Sequence, residues 1–276
     1  MQKPRAALCA ATVSALAVAA LGLTTPAVAQ PVEEAVPGTP AAPWPTGSIG
    51  NVGKLVLELA DGTIGVCSGA VVDAANGSVV ATAAHCVQTQ EDPAVPQDVW
   101  FLPGLERDAA AYRETGWKVA SFHLPADWDI NRQLSDLLPH DYAFLTLELQ
   151  DGRTVQEVHG ANRPSFEPVP ESEQVITLGY PAGPPYDGET QHYCEGPTRV
   201  LGPADAAPSN VGGLLLENCG LNQGSSGGPW LQGYDPVTES GTLVAVTSVG
   251  SGEGVILGRP FPDAARALLD RAATAG

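Results

Sequence analysis

Short apolar runs separated by glycine and proline limit the fold of this sequence more than any other feature. The chain has 276 residues, including 31 glycines and 25 prolines, and from residue 54 onward apolar and polar side chains alternate within these runs. Alternation with a period of two predicts half-buried β-strands, and the regular turns between them are typical of antiparallel barrels or sandwiches. Helical patterns do not alternate with the strands, so parallel βαβ units are disfavoured. The sequence predicts an all-β fold.

Two turns and one helix complete this pattern. Asp61-Gly62 predicts a turn, and Asn76-Gly77 is the type of pair that strongly predicts a β-hairpin. A helix is predicted over residues 263–273, behind two prolines and with Leu268 and Leu269 on one face. The predicted strands are residues 54–59, 65–72, 78–83, 98–101, 117–122, 142–149, 174–178, 213–217 and 243–249.

Residues 1–29 have the features of a secretory signal. Lys3 and Arg5 precede a nearly unbroken apolar run, and Ala-Val-Ala at residues 27–29 fits the small-x-small cleavage pattern. The length of the run leaves an uncleaved membrane anchor as the alternative. Cys9 lies in this segment and is expected to be lost with it. The proline-rich residues 30–48 predict a linker or short propeptide, and the folded part is expected to begin near Asn51.

The charge balance narrows the range of partners. The chain has 13 Lys and Arg against 31 Asp and Glu, a net charge of −18 at pH 7. Nucleic acids and anionic lipid surfaces would repel such a protein. No apolar run after residue 29 approaches membrane length. We therefore expect no binding to nucleic acid, and none to membranes once the signal is removed.

Four cysteines follow the leader, which in an exported chain predicts two disulfides. Three pairings are possible, and proximity favours Cys67 with Cys86 and Cys194 with Cys219. Each bond would stabilise the fold by about 3 to 4 kcal/mol in the chain-entropy account. A structural zinc site is the competing explanation, but no pair has the two-to-four-residue spacing of such ligands.

Three separate segments carry side chains suited to nucleophilic catalysis. His85 lies in Ala-Thr-Ala-Ala-His-Cys, Asp141 opens an apolar run, and Ser226 lies in Gly-Ser-Ser-Gly-Gly-Pro. A serine hydroxyl is a weak nucleophile unless a base accepts its proton and a third group orients that base. Histidine titrates nearest neutrality. We interpret Ser226 as the nucleophile, His85 as the base and Asp141 as the orienting carboxylate. The backbone N–H groups of Gly224 and Ser226 are predicted to form an oxyanion hole.

Each segment also has a plainer interpretation. A Gly-Ser run is often a linker, a histidine before a cysteine is often structural, and an aspartate before a strand is often a cap. Ser225 competes with Ser226 for the role of nucleophile, and His140 competes with His85 for the role of base. His140 is disfavoured because it adjoins Asp141, and adjacent residues of one strand point to opposite faces. Three further aspartates compete for the orienting role: Asp127, Asp129 and Asp136.

At these three segments the sequence resembles the trypsin and chymotrypsin superfamily of serine proteases. That superfamily has a Thr-Ala-Ala-His-Cys strand end, an Asp before an apolar strand, Gly-x-Ser-Gly-Gly-Pro, and the order His, Asp, Ser. The resemblance implies two antiparallel six-stranded Greek-key β-barrels with a short C-terminal helix. The first barrel is expected over residues 49–155, carrying His85 and Asp141, and the second over residues 156–276, carrying Ser226. It also implies a peptide or protein substrate, no cofactor and no metal, and we expect a monomer.

Within the superfamily, residues 175–181 and the run that begins at Ser225 resemble the bacterial branch of the glutamyl endopeptidases, the V8-like enzymes. Comparison with the trypsin-like and the glutamate-specific members implies four substrate-binding residues: Gly220, Thr247, Ser248 and Gly250. Backbone groups of Ser248 and Gly250 are expected to align the substrate as an added strand.

Three departures from the family pattern bear on activation and specificity. Ser225 stands where digestive members have an Asp that pairs with the new amino terminus, so activation by that ion pair is not expected. Gly220 stands where trypsin-like members have the Asp that selects Arg or Lys. Thr247 replaces the His of the glutamate-specific members, so strong glutamate selectivity is not expected.

Two other functions compete with a protease. An inactive protease-shaped binding module would not need an intact Ser, His and Asp set. An α/β-hydrolase esterase would have the Gly-x-Ser-x-Gly pattern of residues 224–228, but its histidine follows the serine, whereas all five histidines here precede Ser226. The sequence thus predicts a secreted, extracellular serine endopeptidase.

Overall fold

The computed structural model describes residues 41–90, 93–96, 98–104, 109–250 and 254–275. The predicted signal, with Cys9, lies outside the described residues, as does the segment 30–40. None of the helices among the described residues has the length and apolar character needed to cross a membrane.

Fifteen strands and four helices make up the described part of the chain. The strands are β1 (Ala42–Pro43), β2 (Val52–Glu58), β3 (Ile64–Val72), β4 (Val79–Thr82), β5 (Asp98–Pro103), β6 (Trp117–His123), β7 (Ala143–Leu147), β8 (Arg163–Pro164), β9 (Gln174–Gly179), β10 (His192–Pro197), β11 (Arg199–Val200), β12 (Leu214–Glu217), β13 (Pro229–Asp235), β14 (Ser240–Gly250) and β15 (Val255–Pro260). The helices are α1 (Tyr112–Thr115), α2 (Leu134–Leu137), α3 (Val155–His159) and α4 (Ala264–Thr274).

The first half of the chain forms a closed antiparallel barrel. Its six strands follow the order β2-β3-β4-β7-β6-β5. The predicted hairpin joins β3 to β4, and its Gly77 has a φ of 64°, in the left-handed region that glycine favours. Along β3, Val71 points into the barrel core while Ala70 and Val72 point outward. Both faces of this strand are buried, because the outer face meets the second half of the chain.

The second half, together with β1, forms a sheet of nine strands. Eight of them follow the order β1-β10-β9-β13-β14-β15-β12-β11, and β8 pairs with β14. Six longer strands follow the order β10-β9-β13-β14-β15-β12 within this sheet, and the two outer strands of the six, β10 and β12, contact each other. The disulfide between Cys194, on β10, and Cys219, just after β12, joins those two strands. The prediction of an all-β, chymotrypsin-like fold is confirmed, with one correction: the described second unit is a nine-stranded sheet where a six-stranded barrel was expected.

Both predicted disulfide pairings are confirmed. Cys67 is bonded to Cys86, with their Cα atoms 6.1 Å apart, and Cys194 is bonded to Cys219, with their Cα atoms 5.6 Å apart. These distances lie in the usual range for disulfides.

An apolar layer joins the barrel to the second sheet. It contains outward-facing side chains of the barrel, such as Ala81 and Phe144, together with Leu178 and Leu243 of the second sheet. Helix α4 adds Leu268 to this layer. The helix was predicted as part of the second half, but it packs on strands of the first barrel. The final helix of the chain therefore stabilises the joint between the two β-units.

Residues 41–50 belong to the fold, so the expectation that it begins near Asn51 is wrong. β1 pairs antiparallel with β10, and Ala41 and Ile49 are buried. Trp44 packs edge-on against Tyr193 and Tyr234. A segment that adds to a sheet edge and docks a single aromatic side chain needs no apolar periodicity. Sequence reasoning therefore had no signal for it.

All nine predicted strands are present in the structure, and several further strands were not predicted. The missed longer strands are β10, β13 and β15. β10 and β13 contain proline or glycine, and their side chains alternate poorly between buried and exposed positions. The short helices α1, α2 and α3 were also missed, because four or five residues carry too little periodicity to detect.

We predict that the double variant Cys194→Ser/Cys219→Ser lowers the free energy of unfolding by about 3 to 4 kcal/mol. The bond constrains a loop with a sequence separation of 25 and links the two ends of the six longer strands. Urea unfolding followed by tryptophan fluorescence measures the change. An unfolding midpoint equal to that of the unmodified protein under oxidising conditions would contradict this role.

Candidate active site

A buried aspartate holds His85 in one orientation. His85 lies in a single 3₁₀ turn, Ala84–Cys86, directly after β4. Its Nδ1 is 2.8 Å from Oδ2 of Asp141, and its backbone N–H donates to Oδ1 of the same carboxylate at 2.9 Å. Because Nδ1–H donates to the carboxylate, Nε2 remains the acceptor of the neutral ring. The ring is therefore set up to take a proton at Nε2.

Asp141 is fully buried, with 0% of its surface exposed, at the end of the 3₁₀ turn Leu138–His140 and just before β7. It also accepts a hydrogen bond at 2.5 Å from the hydroxyl of Ser248, on β14 of the second sheet. Sequence analysis assigned Ser248 only a backbone role at the substrate. Its side-chain contact was missed because the two residues are 107 positions apart and no local pattern connects them.

The contacts around this pair shift both pKa values. Burial alone would lower the pKa of His85, but the charge of Asp141 and its hydrogen bond outweigh burial and raise the pKa above the ordinary 6.5. Burial would raise the pKa of Asp141, whereas the charge of His85 and hydrogen bonds from His85 and Ser248 lower it below 3.8. Asp141 is thus ionised wherever His85 can act as a base.

The competing aspartates lie at the surface. Asp129 accepts hydrogen bonds from Asn131, and Asp136 is 3.7 Å from Arg132 in an exposed ion pair. Asp127 is exposed as well. Among the aspartates considered, Asp141 alone is buried against His85, which supports the sequence interpretation.

A covalent and hydrogen-bonded path joins the loop of Ser226 to His85. The carbonyl oxygen of Ser226 accepts from the N–H of Ser68 at 2.7 Å. Ser68 follows Cys67, whose disulfide leads to Cys86, the neighbour of His85. Ser226 is partly exposed, whereas Ser225 is 1% exposed and its hydroxyl has no hydrogen-bond partner in the described part of the chain. Solvent access thus favours Ser226 over Ser225 as the nucleophile.

The two predicted oxyanion donors are the N–H groups of two peptide units whose carbonyl oxygens accept hydrogen bonds from other backbone N–H groups. The carbonyl of Gln223 accepts from Ala182 N–H at 2.6 Å, and the carbonyl of Ser225 accepts from Gly228 N–H at 2.9 Å. In a trans peptide the N–H points opposite to the C=O, so the N–H groups of Gly224 and Ser226 point away from these contacts. Neither N–H donates to an acceptor among the described residues. Both N–H groups can therefore donate hydrogen bonds to a negatively charged oxygen of a ligand.

A comparison with known protein families identifies the family to which a chain with this site belongs. The sequence profile of the trypsin-like peptidase domain matches residues 67–246, well over half of the chain. The chain belongs to the trypsin-like peptidase family. The predicted superfamily is therefore confirmed, and the protein is a serine endopeptidase whose substrates are peptides or proteins.

Solved structures agree with this assignment. The chain is similar to the protease Anisep from Arthrobacter nicotinovorans, with 27% identity and a TM-score of 0.70, over 83% of this chain and 98% of that one. It is similar to the thermostable serine protease AL20 from an extremophilic microorganism, with 27% identity and a TM-score of 0.68, over 83% and 99%. A Glu endopeptidase, at 15% identity and a TM-score of 0.60 over 82% and 92%, shows the same fold. No curated protein sequence gives a significant match.

The predicted pocket residues of this trypsin-like peptidase differ from one another in exposure and in hydrogen-bond partners. The carbonyl of Gly220 accepts from the Tyr186 hydroxyl at 2.9 Å, and Gly250 lies exposed at the end of β14. Thr247 is 4% exposed, and its hydroxyl accepts from Trp230 Nε1 at 3.0 Å. A substrate side chain would have to compete for the Thr247 hydroxyl with this core contact. The assignment of the pocket stays a prediction.

The sulfur atoms near His85 do not form a metal site. Cys67, His85 and Cys86 place potential ligand atoms within 4.8 Å of one another. The two sulfurs are bonded to each other, so neither is a thiolate that could bind a metal.

We predict that Asp141→Asn moves the acid limb of the pH profile of kcat/KM to lower pH. His85 accepts a proton only when neutral, so its raised pKa places this limb above pH 6.5 in the unmodified enzyme. The variant loses the carboxylate charge and keeps the burial, which lowers the pKa. The plateau activity should also fall by about 10⁴-fold. The pH dependence of peptide hydrolysis measures both effects.

Asp136→Asn is the matched control, because it removes an exposed carboxylate from the same region. Its profile should follow that of the unmodified enzyme. An acid limb of Asp141→Asn that coincides with the control would show that Asp141 does not set the pKa of His85.

Proposed function

We propose that the protein is a secreted serine endopeptidase that cleaves peptide bonds through an acyl-enzyme on Ser226, with His85 as general base and Asp141 as its orienting carboxylate. The observation that carries the proposal is the contact of His85 with the buried carboxylate of Asp141. The Cys67–Cys86 disulfide and the N–H of Ser68 connect His85 to the carbonyl of Ser226. The N–H groups of Gly224 and Ser226, which donate to no acceptor among the described residues, add the hydrogen-bond donors that the oxyanion needs.

The reaction starts with attack of Ser226 Oγ on the substrate carbonyl carbon. Nε2 of His85 accepts the hydroxyl proton as the Oγ–C bond forms, and the carbonyl oxygen takes the negative charge. His85 then gives the proton to the leaving amine as the C–N bond breaks, which leaves the acyl-enzyme. A water molecule then attacks the acyl carbon while His85 takes its proton, and His85 returns that proton to Ser226 Oγ as the C–Oγ bond breaks, which releases the acid product.

Two sets of contacts lower the barriers of these steps. Asp141 stabilises the imidazolium that forms on His85, since its charge already raises the pKa of that ring. The N–H groups of Gly224 and Ser226 stabilise the oxyanion, and loss of one such donor typically costs about 2.7 to 4 kcal/mol of transition-state stabilisation.

Backbone groups at the end of β14 support the predicted mode of substrate binding. Ser248 and Gly250 lie where an extended peptide could add to the strand beside His85, as in other β-strand additions. Gly220 and Thr247 carry no charge, so we expect neither the Arg or Lys preference of trypsin nor a strong preference for glutamate.

Export is supported by the covalent structure. Two disulfides in a small β-protein are typical of an oxidising compartment, and the leader predicted over residues 1–29 provides the route. We therefore place the mature enzyme outside the cell.

We predict that a fluorophosphonate probe labels the purified mature protein, and that Ser226→Ala abolishes this labelling. Only a serine activated by a base reacts with such a probe. The same variant should lower kcat on a mixed peptide library by about 10⁶-fold. Mass spectrometry of the labelled protein and of the cleaved peptides provides both measurements, and the peptides also reveal the residue preferred at the scissile bond.

Ser225→Ala is the control, because it removes the neighbouring hydroxyl, which is buried. This variant should keep the label and the peptidase activity. If the unmodified protein is folded but neither labelled nor active, it is a binding module and not an enzyme. Labelling of Ser226→Ala would assign the nucleophile to another residue.

A further inference from the structure

Ser68 is a buried residue of the first barrel that contacts the loop of Ser226 through both its backbone and its side chain. It lies on β3 and has 0% of its surface exposed. Its N–H donates to the carbonyl of Ser226 at 2.7 Å. Its hydroxyl donates to the carbonyl of Gly224 at 2.8 Å. One side chain of the first barrel therefore contacts the residue that supplies an oxyanion donor.

The hydroxyl of Ser68 is itself held in place. It accepts from the N–H of Tyr180, just after β9, at 2.9 Å. The carbonyl of Ser68 accepts from the hydroxyl of Thr82 at 2.9 Å. With an acceptor in front and a donor behind, the Ser68 hydroxyl has one favourable orientation.

Gly224 needs such a restraint because glycine has little conformational preference of its own. Its φ is 96°, and a Cβ atom there would lie 2.5 Å from the carbonyl oxygen of Tyr180, so only glycine fits. The peptide before Gly224 is held through the carbonyl of Gln223, and the peptide after it is held by Ser68. These two contacts together set both backbone dihedrals of Gly224, and with them the direction of its N–H.

We propose that Ser68 is a positioning residue whose hydroxyl holds Gly224 in the conformation that directs its N–H at the substrate oxyanion. This inference rests on the proposed function of Ser226 and the oxyanion hole. Ser68 does not touch the substrate and acts through Gly224. Its loss should therefore weaken binding of the transition state and leave binding of the ground-state peptide nearly unchanged.

The test compares Ser68→Ala with Thr146→Val. Each removes one buried hydroxyl that donates to a backbone carbonyl: Ser68 to Gly224, and Thr146 to Ala272 of helix α4. The readouts are kcat and KM on the best peptide from the library, inhibition by the aldehyde of that peptide, and the melting temperature. The aldehyde forms a tetrahedral adduct with the nucleophile that needs the oxyanion donors, whereas KM reports mainly on the extended peptide.

For Ser68→Ala we expect kcat to fall about tenfold, less than the 10² to 10³ of a lost oxyanion donor, because the donor is misdirected and not removed. KM should stay within about twofold, and the inhibition constant of the aldehyde should rise in parallel with the fall in kcat. Thr146→Val should lower the melting temperature but leave kcat and aldehyde inhibition unchanged.

Ser68→Cys covers the case in which Ser68→Ala does not fold, since the thiol keeps the shape and is a weaker donor. Its kcat should lie below that of the unmodified enzyme at unchanged KM. Equal kcat in the Ser68 and Thr146 variants, or a change confined to KM, would overturn the role of Ser68. Failure of the proposed function has a different signature: the unmodified enzyme itself would show no labelling that depends on Ser226.

Discussion

The buried carboxylate of Asp141 is the constraint on which the site depends. An ionised group without water must be compensated by donors, and removing one partner of a buried ionic pair typically costs about 3 to 5 kcal/mol. Asp141 receives the N–H and Nδ1–H of His85 from the first barrel and the hydroxyl of Ser248 from the second sheet. The two contacts from His85 form within the first barrel, whereas the contact from Ser248 forms only when both β-units are docked. Docking therefore completes the hydrogen bonding of Asp141 and stabilises the orientation of His85.

The loop of Ser226 is the second point at which the units must fit. Gly227 and Gly228 follow the serine, and a Cβ at Gly227 would lie 2.1 Å from the Thr82 hydroxyl oxygen. A Cβ at Gly228 would lie 2.0 Å from the carbonyl of Leu178. The glycines therefore let the loop lie between β4 of the barrel and β9 of the sheet. In this position the carbonyls of Gly224 and Ser226 reach Ser68, so the packing of the joint also sets the geometry of the proposed oxyanion donors.

Apolar packing provides the support for these polar contacts. The layer between the units includes Phe144 and Leu178, and α4 closes it from the side of the barrel. Asn76, in the hairpin of the barrel, donates to the carbonyl of Ala272 near the end of that helix. β1 adds the start of the described chain to the second sheet. Each end of the described chain thus packs on the half that is distant from it in sequence, which ties the two β-units together.

The sequence alone was sufficient for features that depend on local chemistry. Alternating apolar runs predicted strands such as β2 and β3, Asn76-Gly77 predicted the hairpin, and the three motifs indicated the family. Only the tertiary structure decided which distant residues meet: His85 with Asp141 and not with the exposed aspartates, Ser248 with that carboxylate, and Ser68 with Gly224. It also decided that Ser225 is buried. The contact of Ser68 with Gly224 joins residues 156 positions apart. Such hydrogen bonds depend on how two sheets dock, and docking leaves no periodic signal near either residue.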